Sequence, residues 1–124
     1  MTTLKIGIAS PAEYKARTMA IARGELKPSP KSPKVWFTSI ESVAKVLSDR
    51  NRELLAVIAE DKPESLQALA ERTGRAKSNL SRTLKTMERY GLIRLEKRPN
   101  RALAPRVTFD DIRVELPLRF KAAA

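Results

Sequence analysis

Ser78, Ser81, Arg82, Lys85 and Arg89 recur at three- and four-residue spacing within "KSNLSRTLKTMER" (77–89), and residues of these types on one face have a definite chemistry. On a helix advancing about 100° per residue, with Ser78 set at 0°, the five fall between roughly 300° and 40°. Leu80, Leu84 and Met87 fall on the opposite side, between roughly 180° and 240°. A face of hydroxyls and cations donates hydrogen bonds and positive charge to phosphate oxygens. Its arginines also offer a fork that matches the paired acceptors of guanine, and Asn79, at the same end, matches adenine. A lysine/glutamate face that only kept the helix solvated would do this less well. Arg75 and Lys77 precede the hydroxyls, while Arg98, Asn100 and Arg101 follow the helix. The expected nucleic-acid contacts are therefore Arg75, Lys77, Ser78, Asn79, Ser81, Arg82, Lys85, Arg89, Arg98, Asn100 and Arg101.

The placement of charge points the same way. The chain of 124 residues has a net charge of +11. From Arg72 to Arg106 there are 11 basic residues against only Glu88 and Glu96, so this stretch alone holds +9. A basic run is often just a solvated face, but concentration of nearly all the net charge in one segment implies a polyanionic partner. Other chemistries are excluded or weakly signalled. With no cysteine there is no disulfide, thiolate zinc site or catalytic thiol, and with no histidine the commonest general base and metal ligand is missing. No glycine-rich phosphate loop is present, so neither an enzyme nor a cofactor is expected. Asp110-Asp111 reads as a turn rather than a metal site. Trp36-Phe37 reads as core or dimer packing rather than a ligand pocket. No apolar run is long enough to span a bilayer and the N-terminus lacks a secretory signal, so a cytoplasmic, nucleoid-associated protein with no membrane partner is expected.

These side chains need elements to hold them. Leu4, Ile6 and Ile8 alternate with less apolar neighbours and predict a strand. Ser10-Pro11-Ala12-Glu13 is a capping box with proline at the first helical position, opening a helix that stops near Gly24. Three prolines and three lysines in "ELKPSPKSPK" (25–34) predict a semi-rigid linker. Thr38-Ser39-Ile40-Glu41 predicts a second capping box, with its helix reaching about Leu47. A third helix spans about 50–60, with Leu54, Leu55 and Ile58 inward. Ser65 caps a short helix carrying Leu66, Leu69 and Ala70, Gly74 makes a tight turn, and the helix at 77–90 stops at Gly91. "LIRLEKR" and "PRVTF" then predict a strand and its return across "PNRA", with Pro105 at an edge. Ile112, Val114, Leu116 and Leu118 alternate as a last strand.

Short helix, glycine turn, longer helix and strand-loop-strand make a helix-turn-helix followed by a wing. In this order, Leu66, Leu69, Ala70, Gly74, Leu80, Ser81, Arg82, Leu84, Met87, Glu88, Gly91, Leu92 and Ile93 resemble winged-helix transcriptional regulators of the MarR and ArsR type across about 50–109. The whole chain is similar to small prokaryotic predicted DNA-binding proteins, some of them antitoxin-like. Arg75 and Ala76 depart from the family, which usually has an apolar residue and then Ser or Thr there. Ala76 cannot cap with its side chain, at a cost of about 1 kcal/mol, whereas Arg75 gains a position near phosphate. The expected fold is mainly α with small β: an N-terminal strand-helix arm for dimerisation or partner binding (1–24), a linker (25–34), a winged helix-turn-helix domain (35–118) and a tail (119–124). The resemblance implies a transcriptional regulator, a homodimer, with its recognition helix in the major groove of double-stranded DNA and its wing on the backbone or minor groove. The alternative is an antitoxin that binds a toxin protein and autoregulates its operon.

Overall fold

The computed structural model describes residues 2–118, so the tail at 119–124 lies outside the described residues. The elements run β1 (Thr3–Ile8), α1 (Pro11–Ala22), β2 (Val35–Phe37), α2 (Ile40–Val46), α3 (Asp49–Asp61), α4 (Leu66–Thr73), α5 (Lys77–Arg89), β3 (Arg94–Lys97), β4 (Leu103–Arg106) and β5 (Asp111–Glu115). This is a small mixed α/β protein, with more β structure than the mainly α expectation. The residues divide into two bodies: the segment up to Ala44 together with that from Phe109 onward, and Lys45–Thr108.

The first body is built on a three-stranded sheet of order β2-β1-β5, in which β1 runs parallel to both neighbours. A parallel pair needs a crossover connection, and α1 with residues 23–34 supplies it between β1 and β2. The predicted linker is therefore the return limb of this crossover: Lys34 N–H donates to the Lys5 carbonyl (3.2 Å) and the Lys5 ammonium to the Lys31 carbonyl (2.7 Å). The domain boundaries drawn from sequence change accordingly, because 35–44 and 109–118 group with the arm rather than with α3–α5. Alternation decides the two faces of the sheet. Ile6 pairs with Val35 and Val114, Leu4 with Ile112 and Ile8 with Phe37, so one face is aliphatic and aromatic. Ile6 and Phe37 on it are almost wholly buried. On the other face Trp36 lies over Gly7 so closely that a Cβ there would come within 2.5 Å of Trp36 Cζ3, and only glycine fits. Tyr14 (ring centroids 6.0 Å apart) and the Arg17 guanidinium (4.9 Å from the ring centre) complete the packing of Trp36. Asp110 and Asp111 are not a free turn: their carboxylates accept from Thr2 N–H (3.1 Å) and the Thr3 hydroxyl (2.6 Å).

Local signals set most helix ends. The Ser10/Glu13 box forms as expected, Ser10 accepting from Glu13 N–H and Glu13 from Ser10 N–H. The second box is shifted by one residue from the predicted Thr38/Glu41. Ser39 and Ser42 exchange the two backbone-to-hydroxyl bonds (3.3 and 3.1 Å), because a serine hydroxyl at the third helical position can do the job assigned to glutamate. Ser48 and Ser65 cap α3 and α4.

In the second body, Leu54, Ile58, Leu69, Leu80, Leu84, Met87, Leu92 and Ala104 are at most 2% exposed. Each of the larger ones contributes about 1.5–3 kcal/mol through burial. An antiparallel hairpin of β3 and β4 follows α5. β4 begins at Leu103 rather than Pro105, since Arg98 N–H closes the loop onto the Ala102 carbonyl at 2.8 Å and pairing resumes at once. Pro105 is buried opposite Leu95. β5 stops at Glu115, short of the predicted Leu118; Pro117, with no N–H to give a ladder, follows two residues later.

Candidate nucleic-acid interface

The turn between α4 and α5 is made by backbone rules before any function is asked of it. Gly74 takes φ 75°, where a side chain would strain, and its N–H donates to the Ala70 carbonyl at 2.8 Å. Thr73 steadies the turn by donating its hydroxyl to the Leu69 carbonyl (2.8 Å) and accepting from Arg75 N–H (3.3 Å). Ala76 stands at the N-cap of α5 with no side-chain bond, as its methyl group requires.

α5 then separates its two faces sharply. Leu80, Leu84 and Met87 are fully buried. Lys77, Ser78, Asn79, Arg82, Lys85 and Arg89 are exposed and Ser81 half-buried. Among the described residues the side chains of Lys77, Ser78, Asn79, Ser81, Arg82 and Lys85 make no hydrogen bond or ion pair, so their donors stay open. Arg89 reaches only the Thr86 hydroxyl at 3.4 Å. The one acid near this face, Glu88, is turned onto the hairpin and accepts from Leu95 N–H at 3.1 Å.

The hairpin tip is also built. Arg101 N–H donates to the Arg98 carbonyl (2.9 Å), and Asn100 Oδ1 accepts from Ala102 N–H (3.1 Å). Asn100 is thus a loop former as well as a candidate contact. Arg101 sits at φ 69°, the left-handed region that usually goes to glycine, and its side chain is exposed.

Two predicted contacts are otherwise engaged. Arg75 turns back onto α3, donating to the Arg50 carbonyl (2.8 Å) and to Asn51 Oδ1 (3.5 Å), instead of standing open for phosphate. Desolvation, and then the neighbouring Arg50 charge, lowers its pKa from the ordinary guanidinium value. With Arg50, Glu53 and Arg72 it lines a cleft of about 320 Å³. Arg98 donates to Glu64 through Nε (3.2 Å) and Nη2 (2.9 Å), and Arg106 donates to the same carboxylate at 2.6 Å and to the Pro63 carbonyl at 2.7 Å. These bonds, Arg98 first and Arg106 second, hold the Glu64 carboxyl below its ordinary value. Glu64 and Arg106 went unrecognised in the sequence. They stand 42 residues apart, and no spacing rule joins an acid before one helix to an arginine at the end of a later strand.

The described residues include no group of three acids that could hold a metal ion, and no helix is long and apolar enough to cross a membrane. A family model, HVO_A0114, matches residues 46–114, more than half of the chain. The chain belongs to the HVO_A0114 family. The HVO_A0114 match takes in α3, α4, α5 and the β3–β4 hairpin, the elements that carry every candidate contact. No curated protein and no solved structure matches the chain.

Proposed function

We propose that this member of the HVO_A0114 family is a sequence-specific double-stranded DNA-binding transcriptional regulator of the winged helix-turn-helix type, acting as a homodimer. The observation that carries the reading is the outer face of α5, whose donors are exposed and uncompensated while its inner face is fully buried. α5 takes the part of the recognition helix in the major groove, and the β3–β4 hairpin that of the wing. Lys77, Arg82, Lys85 and Arg101 are the cations without a partner among the described candidate contacts, four in each copy. If each neutralises one phosphate, a dimer engages about eight, and log K against log salt should fall with a slope near −7.

Arg82 stands early on the face with Ser78 and Ser81 beside it, where an arginine reads guanine. Arg82→Ala should cost about 1–3 kcal/mol on a duplex selected from a random pool and much less on scrambled duplex. Paired titrations of wild type and variant at several salt concentrations measure both quantities. A flat salt dependence would remove the DNA reading; equal weakening on both duplexes would make Arg82 a phosphate clamp.

A further inference from the structure

β5 ends the parallel sheet on one side, and among the described residues no strand pairs with its outer edge. Exposed edges usually carry a device against further pairing, such as a lysine, a proline or a bulge. β5 carries Asp111, Arg113 and Glu115, charges that deter pairing unless a partner strand answers them, and it leaves aliphatic side chains in water, with Val114 42% and the following Leu116 53% exposed.

The edge is also complementary to itself. In an antiparallel pair about a two-fold axis through Val114, that residue faces its own copy, Arg113 faces the partner's Glu115, and Ile112 faces the partner's Leu116. Directly opposed residues lie on the same side of a sheet. The ion pairs therefore fall on the Lys5 face and the aliphatic pairs on the face of Leu4 and Ile6. Other registers pair less of the strand: centring on Ile112 keeps an Arg113–Asp111 ion pair but sets Asp110 against the partner's Val114 and leaves Leu116 without an aliphatic partner. Centring on Arg113 sets Arg113 against itself and Asp111 against the partner's Glu115; centring on Glu115 sets Glu115 against itself. A one-residue slip opposes charged to aliphatic side chains throughout. Pro117 would stand opposite the partner's Asp111 and, lacking an N–H, would end the ladder after five residues.

We infer that the β5 edge is the self-association surface of this chain. Two copies join their three-stranded sheets into one six-stranded sheet, antiparallel at its centre, with Val114 on the two-fold axis. Within one copy Lys5 and Glu115 lie 3.1 Å apart and Arg113 and Asp111 3.6 Å apart, so pairing adds an opposite charge from the second copy to each. The surface lies in the body built on β1, β2 and β5, and its test is independent of DNA binding.

The chain has no cysteine, so single cysteines report the register directly. Directly opposed residues bring their Cβ atoms to about 4.5–5.5 Å, close enough for a disulfide after a small adjustment. In the full-length protein under mild oxidation, Val114→Cys should form a covalent dimer about ten-fold faster than Ala59→Cys, an exposed control on α3. Ile112→Cys and Leu116→Cys should each stay uncrosslinked alone and crosslink when mixed. In sedimentation, the wild type should run at twice the chain mass, Arg113→Glu at the chain mass, and Arg113→Glu with Glu115→Arg at twice the mass again. Far-UV circular dichroism checks that each variant is folded, and the cysteine series keeps the test alive if Arg113→Glu is not. A wild-type monomer, or a dimer in which Val114→Cys crosslinks no faster than Ala59→Cys, overturns the assignment.

Discussion

Replacing Arg101 by glycine should stabilise the protein and weaken the DNA binding proposed for it at the same time. The backbone at Arg101 has φ 69°, and the neighbouring bonds fix it there, Arg101 N–H to the Arg98 carbonyl at 2.9 Å and Arg98 N–H to the Ala102 carbonyl at 2.8 Å. An L-residue in that region costs about 1–2 kcal/mol. Glycine removes this cost but adds about 0.4–1 kcal/mol of unfolded-chain entropy. The two ranges leave Arg101→Gly a net gain of about 0–1.6 kcal/mol, centred near 0.8, which is about 6 °C in the melting of a body the size of Lys45–Thr108. The same change removes one exposed cation from each copy, so the salt slope should become shallower by about 0.9 per copy, with affinity falling by a similar factor on selected and scrambled duplexes. Arg101→Lys keeps charge and strain and should change neither quantity much. Arg101→Ala keeps the strain and loses the charge. Urea denaturation and salt-stepped DNA titration of these three variants measure the two effects separately. A less stable Arg101→Gly would refute the strain assignment, and an unchanged slope would refute contact between the hairpin tip and phosphate.

Ala76→Ser supplies the missing cap of α5, since its hydroxyl could accept from Asn79 N–H; it should raise stability by about 1 kcal/mol in urea denaturation, and a loss would show that the turn is not free to be capped. The Glu64 carboxyl is lowered by its bonds from Arg98 and Arg106, so its contribution to stability is complete above the ordinary carboxylate range and is lost as pH falls through the lowered folded value. Thermal melts at stepped pH should therefore show wild type above Glu64→Gln at neutral pH and the gap closing in acid. A gap that persists at the acid end would contradict the linkage.

Elements with local causes were legible in the sequence. Ser10 and Ser65 cap helices through bonds to residues three positions on, and Gly74 ends α4 because of its own backbone freedom, so all three signals lie within a few residues of what they determine. The split of α5 into Leu80, Leu84 and Met87 against Ser78, Arg82 and Lys85 likewise follows from helical repeat alone. Strand partners were not legible. Alternation at Leu4-Ile6-Ile8 and Ile112-Val114 marks strands, but nothing in either segment specifies a parallel pairing of Leu4 with Ile112 across more than a hundred residues. The linker reading of 25–34 failed for the same reason, because what makes it a crossover is the sheet at its two ends. Among the candidate contacts, Arg75 and Arg98 are engaged by Arg50, Asn51 and Glu64, partners that no motif brings near them.

The division of labour among the arginines explains how a strongly basic segment can fold and still keep cations in reserve. Arg72 pairs with Asp61, Arg75 holds α3, Arg94 pairs with Glu96, and Arg98 and Arg106 share Glu64. Arg75 and Arg106, both half-buried, also bond backbone carbonyls, which satisfies donors that would otherwise be costly to remove from water. Arg72 and Arg75 tie the α4–α5 region to α3, Arg98 and Arg106 tie the hairpin to the segment before α4, and Arg94 pairs within β3. None of them lies on the outer face of α5. The acids follow the bracing residues: Glu64 and Glu96 neutralise arginines of the hairpin, and Glu88 spends its carboxylate on the Leu95 amide. Over the Debye length of about 10 Å at 0.1 M salt, a phosphate approaching α5 would feel chiefly Lys77, Arg82, Lys85 and Arg89. The quantity that sets affinity for a polyanion is therefore the small number of unpaired cations on one helix and one loop tip, rather than the net charge of +11.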